Sequence, residues 1–63
     1  MKLNILIVED EIEIREGVSE YLLEVGYNVI TAEDGLQAIE LFNKNKIDLV
    51  ILDIMLPKAN GFV

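Results

Sequence analysis

Sixty-three residues allow one small domain, and a chain of this size buries only about 60% of the surface its unfolded form exposes. The sequence holds no cysteine, so disulfides and thiolate zinc sites are excluded, and no histidine, which removes the commonest general base and transition-metal ligand. A net charge of −7 disfavours contact with nucleic-acid phosphates and anionic membrane surfaces and favours cations or basic partners.

Met1 to Val8 carries one lysine and six apolar residues, interrupted by Asn4 and closed by Glu9-Asp10-Glu11. That stretch is too short and too acid-flanked for a signal peptide, and no run approaches a membrane span. The expectation is a soluble cytoplasmic protein with no membrane contact. Hydrophobic residues make up 52% of the chain, so a packed core is expected rather than disorder.

Residues 3–8 predict a first strand. Ile5-Leu6-Ile7-Val8 is continuously apolar, the pattern of a strand buried on both faces of a parallel sheet. A helix is predicted over 11–25. Asp10 and Glu13 have the spacing of a capping box. Ile14, Val18, Tyr21, Leu22 and Val25 form one apolar stripe, with Glu13, Glu16, Glu20 and Glu24 largely opposite. Gly26 stands where a left-handed cap would end it.

Tyr27 to Ala32 predicts a second strand, rich in β-branched residues. Asp34 and Gln37 repeat the capping-box spacing ahead of a second helix over 35–45. Its core face is read as Ala38, Ile39 and Phe42, with Leu36 and Leu41 off that face. Lys44 and Lys46 place cations at its negative end. Ile47 to Asp53 predicts a third strand, and Pro57, Asn60 and Gly61 mark a loop.

Strand, helix, strand, helix, strand is an α/β pattern. Each crossover is long enough to be helical, so the strands are expected to be parallel with right-handed connections. Strands one and three are expected side by side with strand two at an edge, in the order 2-1-3. Ligands of such sheets bind at the carboxyl ends of strands, where the winding reverses. Glu9, Asp10 and Asp53 all fall there.

Neighbouring carboxylates about 4 Å apart repel by roughly 1–4 kcal/mol, so three together call for a cation or a raised pKa. Mg²⁺ suits such a cluster, since it takes one or two carboxylates and fills its octahedron with water and phosphate oxygens. An aspartate beside it is placed to act as a nucleophile towards phosphorus. Plainer roles stand alongside. Asp10 would serve as a helix cap, Glu9 and Glu11 would favour the positive helix end, and Asp53 would merely close a strand.

The runs Ile5-Leu6-Ile7-Val8-Glu9-Asp10-Glu11, Asp34-Gly35-Leu36-Gln37-Ala38 and Asp48 to Pro57 with Gly61 resemble the receiver domain of two-component response regulators. The stretch from Asp53 through Leu56-Pro57 to Gly61 is the most specific part. The resemblance covers the whole chain. It implies a flavodoxin-like fold truncated to β-α-β-α-β, residues 1–63 being a partial receiver domain of two and a half strand–helix units. It also implies that Asp53 accepts a phosphoryl group from a sensor histidine kinase. Glu9 and Asp10 would then hold Mg²⁺ with Asp53, and the backbone carbonyl of Met55 would complete the site.

Glu9 departs from the aspartate common at its position. The later strand ending in Ser or Thr, the lysine and the aromatic switch residue of the family fall outside these residues. The expectation is therefore a metal-binding half without its phosphate clamp, either part of a longer regulator with transcriptional output or a half-domain completed by a second copy across the third-strand edge. The competing reading is a non-catalytic half-receiver acting as an oligomerisation or interaction module. In neither reading is the chain counted as an enzyme. A dinucleotide site is excluded because Glu9-Asp10-Glu11 replaces the glycine-rich turn. A phosphatase of the aspartyl-nucleophile kind would want an aspartate where Met55 stands.

Overall fold

A computed structural model describes residues 2–52. Asp53, Met55, Pro57 and Gly61 lie outside the described residues. Three strands and two helices alternate: β1 (Asn4–Val8), α1 (Ile12–Glu24), β2 (Asn28–Ala32), α2 (Gly35–Lys44) and β3 (Leu49–Leu52). The expected α/β architecture is present, with a parallel sheet ordered β2-β1-β3.

β1 is the centre, as its unbroken apolar run predicts. Ile5, Leu6, Ile7 and Val8 are all buried, because strands flank this segment and helices pack on it. Side chains alternate across the sheet, so Leu6 and Val8 share one face. There they form the core with Ala32, and Ile30, Ala38, Leu41 and Ile47 pack against it.

Register is parallel throughout. Asn4 faces Asn28 and Val8 faces Ala32 on one side, while Ile5 faces Leu49 and Val8 faces Leu52 on the other. A polar clasp pins it at the opposite end from the acids. The Asn4 Nδ2 donates to the Lys46 carbonyl at 2.7 Å, and the Asn28 Nδ2 donates to Asn4 Oδ1 at 3.0 Å. The Asn4 backbone N–H donates to Asp48 Oδ2 at 2.8 Å, and the Asp48 N–H returns to the Asn4 carbonyl at 2.8 Å. One side chain thus ties the start of the central strand to both neighbours. In the sequence, Asn4 stands out only as a break in an apolar run.

Helix faces differ from expectation. On α1, Ile14, Val18 and Leu22 are half-buried as expected, but Tyr21 is 63% exposed and Val25 52%. Arg15 and Ser19 occupy the inward face instead. On α2, Ala38 and Leu41 meet the core, while Ile39 and Phe42 are exposed. Leu41, expected off the core face, packs on the core, while Ile39 and Phe42 border an open apolar concavity with Leu6, Val8, Val50 and Leu52.

Caps divide likewise. Asp34 caps α2 as predicted, accepting the Gln37 N–H at 2.9 Å, and Gln37 Oε1 accepts the Glu33 N–H at 2.7 Å. For α1 the N-cap is Glu11, not Asp10, and it makes no side-chain capping bond. Gly26, at φ 105°, ends α1 with both bonds of a Schellman motif, its own N–H to Leu23 and that of Tyr27 to Leu22. Among the described residues, no helix is long and apolar enough to cross a membrane.

Candidate metal and phosphoacceptor site

Glu9 is the first residue past β1. It would ordinarily be exposed there, yet only 2% of its surface is accessible. Its contacts include the following. Its N–H continues the ladder to the Ala32 carbonyl at 3.1 Å. Its own carbonyl accepts from Arg15 Nη1 at 2.8 Å, and its Oε2 accepts the Glu11 N–H at 3.2 Å. Glu9, rather than Asp10, thus satisfies the donor nearest the start of α1. The Asp10 carboxylate is exposed.

The pair opens onto a cleft of about 270 Å³ lined by Val8, Glu9, Asp10, Glu33, Asp34 and Gly35. The carboxyl ends of β1 and β2 and the start of α2 build it. Four acids border it, so the local potential favours cations. Glu33 and Asp34 escaped the sequence reading as neighbours of the pair, although both follow a strand end by the logic that singled out Glu9. Among the described residues no three acids converge as a metal-binding group. Glu9 and Asp10 are therefore at most two donors, and a complete site needs a further one.

β3 ends beside the acidic pair. Leu52 is the register partner of Val8, so both chains leave the sheet level with each other. Glu9 and Asp10 follow Val8, and Asp53 is the next residue after Leu52. The winding reverses between β1 and β3, the location at which open α/β sheets bind ligands. An all-oxygen donor pair on one rigid strand exit fits a small hard cation such as Mg²⁺.

Known proteins place this arrangement. The family model for the response regulator receiver domain matches residues 5–63. Response regulator RR06 of Streptococcus pneumoniae is 47% identical over 60 residues, covering 95% of this chain and 28% of that protein. A probable transcriptional regulator, ycf27 of Guillardia theta, is 48% identical over 61 residues, covering 97% and 24% respectively. The chain thus spans about a quarter of the length of these relatives. Among solved structures, the response regulator TrrA of Thermotoga maritima, in complex with Mg²⁺-BeF, superposes with a TM-score of 0.79 at 51% identity. That match covers 90% of this chain and 49% of the other. With the acid pair at the end of the central strand, a sheet ordered β2-β1-β3 and a match over nearly its whole length, the chain belongs to the response regulator receiver domain family.

Proposed function

We propose that the chain is the part of a phosphoacceptor receiver that holds the metal and the acceptor. Asp53 takes the phosphoryl group, and Glu9 and Asp10 hold Mg²⁺ together with Asp53 and the Met55 backbone carbonyl. The observation that carries this reading is the burial of Glu9 level with the exit of β3. A carboxylate is withdrawn from water at the one sheet position where a ligand is expected, and the residue after the paired strand is an aspartate.

The donor is the phosphohistidine of a sensor histidine kinase. An Asp53 carboxylate oxygen attacks phosphorus, and the bond from phosphorus to the histidine nitrogen breaks, with the electron pair staying on nitrogen. Bound Mg²⁺ supplies charge compensation to the phosphoryl oxygens. Glu9 and Asp10 orient that charge, and Arg15 and Glu11 hold Glu9 in place. The chain consumes a phosphoryl group without regenerating itself, so it acts as a signalling relay and not as an enzyme. Its output is transcriptional and its site of action cytoplasmic. The net charge of −7 argues against direct nucleic-acid contact by this segment.

A second reading is favoured by one observation. Leu49, Val50 and Leu52 of β3 are exposed at 51%, 37% and 65%, beside exposed Ile39 and Phe42. Such an edge pairs with other chains, so this segment would act as an assembly module in which two copies complete one sheet. Light scattering across micromolar concentrations tests it: a dimer supports it and a monomer overturns it.

Beryllium fluoride, the phosphoryl stand-in bound with Mg²⁺ by the Thermotoga maritima protein, tests the first reading. Fluorine NMR should show saturable binding that requires Mg²⁺ and is lost in Asp53→Asn. Absence of binding to the wild-type chain overturns it.

A further inference from the structure

We propose that Arg15 is a positioning residue for the acidic pair: its guanidinium grips the Glu9 main-chain carbonyl and so fixes the turn on which the Glu9 and Asp10 carboxylates stand. The inference rests on the reading of those two residues as Mg²⁺ ligands. Its observations are separate from that reading.

The first is the contact itself, Nη1 to the Glu9 carbonyl oxygen at 2.8 Å across six residues of sequence. A charged donor on a backbone carbonyl is stronger and better aimed than a neutral one. The second is placement. Arg15 is the fourth residue of α1, and helical side chains lean toward the N-terminus, which carries its guanidinium back over the β1–α1 turn. The third is exposure. Glu13, Glu16, Glu20 and Glu24 of the same helix are exposed, whereas Arg15 is half-buried. The fourth is electrostatic. The first turns of a helix favour anions, so a cation there is disfavoured by the helix dipole. The helix itself gives no reason for arginine at this position, and the Glu9 carbonyl does.

These contacts make a clamp around one residue. β2 holds the Glu9 N–H, α1 holds its carbonyl through Arg15, and the Glu11 N–H holds its carboxylate. Removing the Arg15 contact loosens the peptide joining Glu9 to Asp10, the backbone from which both carboxylates project.

Charge and geometry predict opposite signs, which makes the role measurable. By charge alone, deleting a cation beside the pair should tighten Mg²⁺ binding. By positioning, it should weaken binding about tenfold, as losing a group that orients metal ligands does. Mg²⁺ titration of the full chain by calorimetry compares wild type, Arg15→Gln and Arg15→Lys. We expect Arg15→Gln to bind about tenfold more weakly and Arg15→Lys, which keeps a charged donor, to fall between. Equal or tighter binding in Arg15→Gln overturns the proposal.

A metal-free readout separates this from the metal reading. The Glu11 amide, which reports on the Glu9 carboxylate, should exchange about tenfold faster in Arg15→Gln, while the Leu6 and Ile7 amides keep their protection. If the wild type takes up no Mg²⁺, the metal reading fails and the Glu11 amide alone decides the role of Arg15: an unchanged rate overturns it. Should Arg15→Gln fail to fold, the same two measurements on Arg15→Lys decide, with wild-type values in both overturning the proposal.

Discussion

Replacing Glu9 by glutamine perturbs the proposed site with the least change of shape. Glutamine retains an oxygen able to accept the Glu11 N–H, now at 3.2 Å from Glu9 Oε2, and it fills the same buried space. The charge is lost, and one acceptor oxygen becomes an amide donor. Without metal, neighbouring acids repel, and deleting one relieves about 1 kcal/mol, the low end for carboxylates side by side. We therefore expect Glu9→Gln to be more stable than wild type in EDTA by about that amount. With metal the order of effects reverses. At Mg²⁺ ten times its Kd, ligand binding stabilises the wild type by RT ln 11, about 1.4 kcal/mol. A variant with tenfold weaker affinity gains RT ln 2, about 0.4 kcal/mol. Urea unfolding followed by circular dichroism, in EDTA and in Mg²⁺, reads both numbers. The same Mg²⁺-induced gain in both proteins would refute the assignment of Glu9 as a ligand.

Two further substitutions test the scaffold that presents the site. Asn4→Ala removes the side-chain bonds to Lys46 and Asn28 that pin three strands at one end. We expect a loss of about 1–2 kcal/mol in urea unfolding, with faster amide exchange at the start of β3, and an unchanged midpoint would show the clasp to be incidental. Asp34→Ala deletes the cap of α2 and one acid of the cleft together. It should cost about 1 kcal/mol of stability while leaving Mg²⁺ affinity within a factor of about two, because Asp34 lies outside the proposed ligand set. A larger loss of Mg²⁺ binding would move Asp34 into the site.

The sheet was legible because burial leaves its mark on composition. Ile5 to Val8 is apolar at every position, and only a central strand needs that. Gly26 and Asp34 were legible for a similar reason: a left-handed φ and a capping bond each demand particular residue types. Helix orientation was not legible. Periodicity shows that α2 has apolar residues on more than one side, but not that Leu41 packs on the core while Phe42 stays half exposed beside β3. On α1, Tyr21 and Val25 continue the apolar stripe in sequence yet lie beyond the sheet's cover.

The site was half legible. Paired acids at a strand end drew attention to Glu9 and Asp10, which border one cleft, but nothing in their order showed that Glu9 is buried and Asp10 exposed. The capping-box spacing from Asp10 to Glu13 pointed to the wrong N-cap. The helix starts one residue later, with Glu11 as its N-cap. Arg15 carried no motif at all, and only the fold brings its guanidinium to the Glu9 carbonyl.

The central claim is that Asp53 accepts a phosphoryl group with Mg²⁺ held by the acid pair. Intact-mass measurement after incubation with a small phosphodonor tests it most directly. The account predicts a gain of about 80 Da, one phosphoryl group, that requires Mg²⁺, is lost in Asp53→Asn and is reduced in Glu9→Gln. A gain of the same size in Asp53→Asn, or no gain in the wild type with Mg²⁺ present, would contradict it.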